Sequence, residues 1–122
     1  MIRTSNKNIH WDYYTAIESD VHALSRFVEF HEDNFNTYSI EMVHMLLAAS
    51  SEVDVVIKKL CRELETDSSP ENINQYREII QKSLPEIIIT KVVSIRHSLM
   101  LEPWSNWSTD LNPNWWRSLI LL

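Results

Sequence analysis

The longest helix pattern in this 122-residue chain occupies residues 38–65, YSIEMVHMLLAASSEVDVVIKKLCRELE. Its apolar residues recur at intervals of three and four, which places them on one face of an amphipathic helix. Asp54 and Lys58 lie one turn apart on another face, in the orientation that favours an ion pair. We therefore predict a helix from about Tyr38 to Glu65, with an apolar stripe of Met42, Leu46, Ala49, Val53, Val56, Leu60 and Leu64.

A second apolar stripe of this kind precedes the first. Its members again recur at intervals of three and four: His10, Tyr14, Ile17, Val21, Leu24, Val28, His31 and Phe35. Asn8 is suited to cap the start of this helix, because its side chain can accept a bond from a free backbone N–H group. We predict that the helix ends near Asp33, where Asn34 or Asn36 can adopt the left-handed conformation that glycine usually supplies. Two long helices joined by so few residues must lie antiparallel.

The chain beyond Thr66 begins with a third helix. Ser69, Pro70 and Glu71 form a helix-start signal, since proline is tolerated in the first turn and a carboxylate is favourable there. We predict this helix over residues 70–83. A second start signal, Asn112 followed by Pro113, predicts a short fourth helix.

A run rich in β-branched residues follows Pro85 and comprises Ile87, Ile88, Ile89, Val92, Val93 and Ile95. Such residues suit a short strand better than a long helix. Arg96, His97 and Ser98 can turn the chain back, so we predict a small β-hairpin around residues 91–102, with continued helix as the alternative. The fold class is therefore a mostly α, antiparallel up-and-down bundle of three helices plus a short fourth, in a single domain over residues 1–122.

The composition excludes several classes of protein. The sequence contains no glycine, whereas about eight or nine would be expected at average usage. Sites that need glycine loops, such as P-loops and dinucleotide-binding fingerprints, are therefore excluded. Cys61 is the only cysteine, so neither an internal disulfide nor a multi-cysteine zinc site can form. Because the sequence has no signal-peptide pattern and no run of roughly 20 apolar residues, we expect a soluble, cytoplasmic protein.

The net charge of −6 comes from 11 basic and 17 acidic residues. Such a balance repels a phosphate backbone at long range. Most of the excess lies before Asp67, so an anionic ligand would be met by the second half of the chain. We therefore expect a protein partner in preference to RNA.

Three histidine positions are candidates for metal chemistry. Glu41 and His44 have the Glu-x-x-His spacing of helical metal sites, but no second pair of this kind accompanies them. His10 and His31 lie on the apolar stripe of the first helix, where a hydrogen-bonded core histidine is more common than a ligand. A bundle metalloprotein that uses Glu41, His44 and His31 is the least favoured function, and we expect no metal and no cofactor.

Four tryptophans, Trp104, Trp107, Trp115 and Trp116, fall within thirteen residues. With Lys91, Arg96 and Arg117 nearby, they could stack nucleic-acid bases. The favoured alternative is that they plug one end of the bundle. Cys61 lies between Lys58 and Arg62, which could activate a nucleophilic thiolate, although a lone helical cysteine is usually a packing residue.

Five segments together resemble an uncharacterised bacterial family of HEPN-like helical bundles. They are residues 27–41 (FVEFHEDNFNTYSIE), 48–61 (AASSEVDVVIKKLC), 73–78 (INQYRE), 103–107 (PWSNW) and 112–117 (NPNWWR). The resemblance implies an antiparallel bundle that dimerises. Active HEPN domains are metal-independent ribonucleases of toxin and phage-defence systems, whose signature is an arginine, four to six residues, then a histidine on a late helix.

The resemblance also implies where this chain departs from the active pattern. In the family, the helix opened by Asn-Pro-x-Trp-Trp continues into a basic stretch that ends in histidine. Here Arg117 can match the basic start, but the pattern is lost at Ser118 and residues 119–122 are apolar. We therefore expect a shortened HEPN-like protein without ribonuclease activity, carried as cargo of a mobile element or a defence system.

Two functions follow as expectations. The first is a non-catalytic binding or assembly module that forms a homodimer through the first helix, the second helix or the terminal apolar run, since a second copy would cover exposed apolar surface. The second is an RNA-binding protein or ribonuclease that uses Arg117, Arg96 and the four tryptophans. Glu52 and Asp54 are further polar candidates, because they lie within a segment that carries the resemblance.

Overall fold

The computed structural model describes residues 8–34, 36–37, 39–95 and 98–116. The first helix, α1, spans Ile9–Leu24. The side chain of Asn8 caps it, as predicted, by accepting hydrogen bonds of 3.1 Å from the backbone N–H groups of His10 and Trp11. Asn8 thereby satisfies donors that have no partner within the helix.

Helix α1 ends nine residues before the predicted end at Asp33. The hydroxyl group of Ser25 donates a hydrogen bond to the carbonyl oxygen of His22 at 2.6 Å, and the next N–H groups bond three residues back, which closes the helix in tight turns. The chain does not use a left-handed residue at this end. Among the described residues, positive φ angles occur at Ser98 and Asp110 and not at Asn34 or Asn36.

Helix α2 spans Ile40–Leu64, in agreement with the predicted range. The side-chain oxygen of Ser39 caps it by accepting a bond from the N–H group of Met42. The predicted ion pair is present, with Lys58 Nζ 3.2 Å from Asp54 Oδ2. His10, at the start of α1, contacts Glu52 at the middle of α2, whereas Leu24, at the end of α1, lines a pocket with Glu41 and His44 near the start of α2. The two helices are therefore antiparallel, as expected.

Helix α3 spans Ile73–Ser83 and begins three residues later than predicted. Asn72, and not Ser69, is its cap and accepts a bond from the N–H group of Gln75 at 3.0 Å. The side chain of Gln75 in turn accepts a bond from the N–H group of Glu71 at 2.7 Å. This reciprocal arrangement is related to the capping box and fixes where the helix starts.

The predicted hairpin is formed by strands β1 (Val92–Ser94) and β2 (Leu99–Leu101), which pair antiparallel. Val92 lies opposite Leu101, and Val93 opposite Met100. Ile87–Ile89 do not join the strand, contrary to the sequence prediction. They belong to a 3₁₀ segment, Pro85–Ile89, which places Ile87 and Ile88 against the core instead of alternating them across a ladder.

The buried core lies where α2 and α3 meet a second 3₁₀ segment, Ser105–Thr109. Its members are Ile57, Cys61, Ile73, Tyr76, Ile80 and Trp107. No residue of α1 is buried, so α1 packs more loosely on α2 than its apolar stripe predicts. A helical turn at residues 114–116 matches the predicted start of the fourth helix. Within the described ranges, no helix has the length and apolar character needed to cross a bilayer.

Candidate binding groove between α1 and α2

An apolar groove of about 680 Å³ opens beside the α1–α2 pair. We call it the α1–α2 groove. Helix α1 lines it with His10, Trp11, Tyr14 and Ile17, and helix α2 contributes Ala49, Glu52, Val53 and Val56. Its far wall is formed by Ile80 of α3, Ile87 and Trp104. A concave, mostly apolar surface with a few polar groups is the usual form of a binding site.

His10 and Glu52 form a polar contact in this groove. His10 Nδ1 lies 2.5 Å from Glu52 Oε1, and both side chains are partly buried. The carboxylate accepts this bond when Nδ1 of the imidazole carries a proton. The sequence singles out each residue separately without pairing them. The sequence does indicate that Glu52 faces α1. Glu52 lies three residues after Ala49 and four before Val56, on the apolar stripe that faces α1.

Two aromatic rings form the α1 side of the groove. The ring centroids of Trp11 and Tyr14 are 5.4 Å apart, and the two side chains are 63% and 50% exposed. The hydroxyl group of Tyr14 donates to Glu18 at 2.8 Å, and this bond raises the pKa of Tyr14 above its ordinary value. Sequence reasoning missed Trp11, which lies outside the apolar stripe.

Helix α1 and the first eighteen residues of α2 carry acidic residues but no lysine or arginine. In α1 and residues 40–57, the six carboxylates are Asp12, Glu18, Asp20, Glu41, Glu52 and Asp54. The first lysine of α2 is Lys58. Of these carboxylates, Glu52 lines the groove and Glu18 bonds to Tyr14 at its side, so both favour a cationic group there.

The tryptophans fill the end of the core. Trp107 is fully buried, and its indole Nε1 has no hydrogen-bond partner among the residues that the structure describes. Trp104 lies 4.5 Å from Trp107 and 5.1 Å from Trp115, measured between ring centroids. Trp115 donates to the carbonyl oxygen of Pro103, and Trp116 packs edge-on against Tyr76. These contacts favour the plug over a base-stacking platform.

Of the three basic residues proposed to accompany the tryptophans, only Lys91 lies among the described residues. Arg96 and Arg117 lie outside the described residues, as do His97 and residues 118–122. Lys91 is exposed. Arg77, which the sequence analysis did not single out, donates to the carbonyl oxygen of Asp110 at 2.8 Å and holds the loop before the fourth helix.

Asp54 and Cys61 occupy structural positions. Asp54 accepts a bond from Tyr76 and pairs with Lys58. Cys61 is fully buried between α2 and α3. Burial raises the pKa of the Cys61 thiol, and the carboxylate of Glu65 adds to the rise. A buried thiol that resists ionisation is a packing residue, since the thiolate is the reactive form.

Glu41 and His44 line a second pocket of about 480 Å³, together with Asp20. His31 lies elsewhere, with its Nδ1 3.3 Å from Asp33 Oδ2. In the described part of the chain, no group of three His, Cys, Asp or Glu side chains is arranged to hold a metal ion. The structure thus does not assemble the three residues of the metalloprotein alternative.

Comparison with protein families, curated proteins and solved structures finds no match to this chain.

Proposed function

We propose that this chain is a non-catalytic, HEPN-like helical binding module that forms a homodimer and takes up a protein partner. The observation that carries this proposal is the apolar α1–α2 groove of about 680 Å³. None of the residues that α1 contributes to it is buried. Large exposed apolar surfaces mark interaction sites in proteins of this size. Cys61, as a lone reduced thiol, fits a cytoplasmic setting for such a module.

A second exposed apolar surface lies on the hairpin. We call it the hairpin patch; it consists of Ile89, Val92, Val93, Ile95, Met100 and Leu101, each more than half exposed. An isolated two-stranded hairpin is only marginally stable in water. Face-to-face packing against the hairpin of a second copy would cover the side chains of one face, such as Val93 and Met100. We therefore assign the homodimer contact to the hairpin patch.

The charge of the α1–α2 surface supports this division of roles. In a twofold dimer through the α1–α2 groove, Glu52 in the groove and Glu18 beside Tyr14 would approach the same residues of the other copy. Like charges brought together across an interface cost several kcal/mol. The groove is thus better suited to a partner of opposite charge than to a second copy.

RNA binding or cleavage remains the second candidate, through Arg117, Arg96 and the tryptophans. The packing of Trp104, Trp107, Trp115 and Trp116 against one another and the core leaves less ring surface for bases. The net charge of −6 also opposes a phosphate backbone.

Light scattering on the purified chain, with and without short single-stranded RNA, tests the proposal. We expect a dimer whose mass is unchanged by RNA, and intact RNA after prolonged incubation. RNA binding or cleavage that is lost in Arg117→Ala would reject the binding-module proposal in favour of the second candidate. A monomer at all concentrations would reject the homodimer.

A further inference from the structure

We infer that the α1–α2 groove takes a basic amphipathic helix supplied by a partner protein. This inference rests on the proposed function and names the chemistry of the partner. Three observations support it: the apolar residues on two sides of the groove, the acidic residues beside it and the aromatic rings of Trp11 and Tyr14.

Apolar residues line the groove on two sides. Helices α1 and α2 form one side, and Ile80, Ile87 and Trp104 form the other. A helix placed there would complete a bundle, because its apolar stripe would pack against Val53, Val56 and Ile80. Amphipathic helices commonly bind in this way, through apolar anchors one turn apart.

The acidic residues beside the groove favour a partner with a positive charge. Glu52 in the groove and Glu18 on Tyr14, with no lysine or arginine in α1 or residues 40–57, favour a helix whose polar face carries lysine and arginine. A carboxylate can accept through both oxygens. Glu52 can therefore keep its bond to His10 and also accept one from a cation of the partner.

The aromatic wall suits the same partner. Trp11 and Tyr14 lie at the side of the groove. The side chain of Trp11 is 63% exposed, and that of Tyr14 is 50% exposed. A lysine or arginine that lies over such a ring is attracted by the negative face of the ring. The rings also supply apolar area at the edge of the groove, where the stems of long basic side chains would lie.

The test uses two synthetic helical peptides of about 18 residues, a length at which a helix is stable enough to form. Both have leucine and alanine on one face. The other face carries lysine and arginine in the first peptide and glutamate in the second. Binding to the full chain is measured by fluorescence anisotropy of the labelled peptide. We expect the basic peptide to bind, and to bind at least about tenfold more tightly than the acidic one, which corresponds to about 1.4 kcal/mol.

The groove is located by a matched pair of variants. Val56 lines the groove, whereas the neighbouring Val55 does not. The two side chains are 43% and 39% exposed, so both tolerate a polar group. Val56→Glu should weaken binding of the basic peptide about tenfold or more, because it places a charge against the apolar face of the peptide, where the charge would lose its water. Val55→Glu adds the same charge outside the groove and should leave binding unchanged. Trp11→Ala provides a second groove variant, with exposed Tyr13→Ala as its control, and circular dichroism checks that each variant is folded.

The outcomes separate this inference from the proposed function. Equal binding of both peptides, sensitive to Val56→Glu, would overturn the basic partner and keep the binding module. Binding that responds equally to Val55→Glu and Val56→Glu would overturn the location in the groove. If neither peptide binds and Val56→Glu alone dissociates the dimer, a second copy occupies the groove. If neither peptide binds and every variant is monomeric like the parent chain, the proposed function fails as well.

Discussion

The hydroxyl group of Tyr76 donates a hydrogen bond of 2.9 Å to Asp54 Oδ1 and so connects α3 to α2. Tyr76 is fully buried, whereas Asp54 lies at the edge of the core and also pairs with Lys58. The bond fixes the position of α3 on the middle of α2. Through Ile80, that position also sets the far wall of the α1–α2 groove.

Tyr76→Phe removes this bond and keeps the ring. We expect the free energy of unfolding to fall by about 1–2 kcal/mol, because a buried bond to a charged acceptor is lost while Asp54 keeps Lys58. Urea denaturation followed by circular dichroism measures the change. The same substitution at exposed Tyr13 should alter stability by less than about 0.5 kcal/mol. Equal effects at both positions would mean that the Tyr76–Asp54 bond adds nothing.

The same bond predicts how stability depends on alkaline pH. Burial, followed by the bond to Asp54, raises the pKa of Tyr76 above its ordinary value of 10.0. Below pH 10 both the folded and the unfolded chains hold this proton, so its contribution to stability is complete. Above pH 10 the unfolded chain loses the proton while the folded chain keeps it, so the free energy of unfolding falls as pH rises. The loss should be smaller in Tyr76→Phe, as measured by urea midpoints on either side of pH 10.

Much of the bundle could be predicted from the sequence because the relevant forces are local. The periodic stripe of α2, the Asn8 cap and the Asp54–Lys58 pair depend on residues within a few positions of one another. The early end of α1 could not be predicted, because Val28 and His31 continue the spacing of the stripe after the helix has stopped. A bond from Ser25 to the preceding turn decides that end, and the apolar pattern carries no trace of it.

The candidate site was harder to predict than the fold. Tyr76–Asp54 and His10–Glu52 join residues 22 and 42 positions apart. Such pairs depend on how helices pack, which a single sequence does not reveal. The excess of acidic residues before Asp67 was visible in the sequence, but its concentration beside an apolar groove was not.

Substitutions of Trp107 test how much this side chain contributes to the stability of the core. Trp107→Ala should lower the free energy of unfolding by about 3–5 kcal/mol, because it leaves a large cavity. Trp107→Phe should cost clearly less, since it fills part of the space and also removes the buried Nε1 group, which has no partner among the described residues. Thermal unfolding compares the two variants. A larger loss in Trp107→Phe than in Trp107→Ala would contradict this account.

Cys61 should be protected from thiol reagents in the folded chain. Because burial raises the pKa of this thiol above its ordinary value of 9.0, little thiolate forms at neutral pH and the reagent has no direct access. We expect reaction with an aromatic disulfide reagent to be slow in the native protein and fast in urea. Fast reaction without denaturant would instead support the nucleophile alternative.

Helix α1 should be the least protected of the three long helices. It has no buried residue, and it is held to α2 by partly exposed apolar groups and the His10–Glu52 contact. Hydrogen exchange should therefore be faster in α1 than in α2 and α3. His10→Ala should accelerate exchange in α1 further and leave α3 unchanged, whereas His22→Ala on the exposed face should have little effect. Uniform acceleration across all helices would show that the bond supports the whole fold and not α1 alone.

The homodimer contact can be located by introducing lysine at either of two exposed valines. Val93 in the hairpin patch is 62% exposed, and Val56 in the α1–α2 groove is 43% exposed. Val93→Lys would place a charge in the proposed dimer contact, where leaving it unpaired costs several kcal/mol. We therefore expect Val93→Lys to give a monomer by light scattering, whereas Val56→Lys remains a dimer because the groove is free for a partner. The opposite pattern would move the dimer contact to the α1–α2 groove.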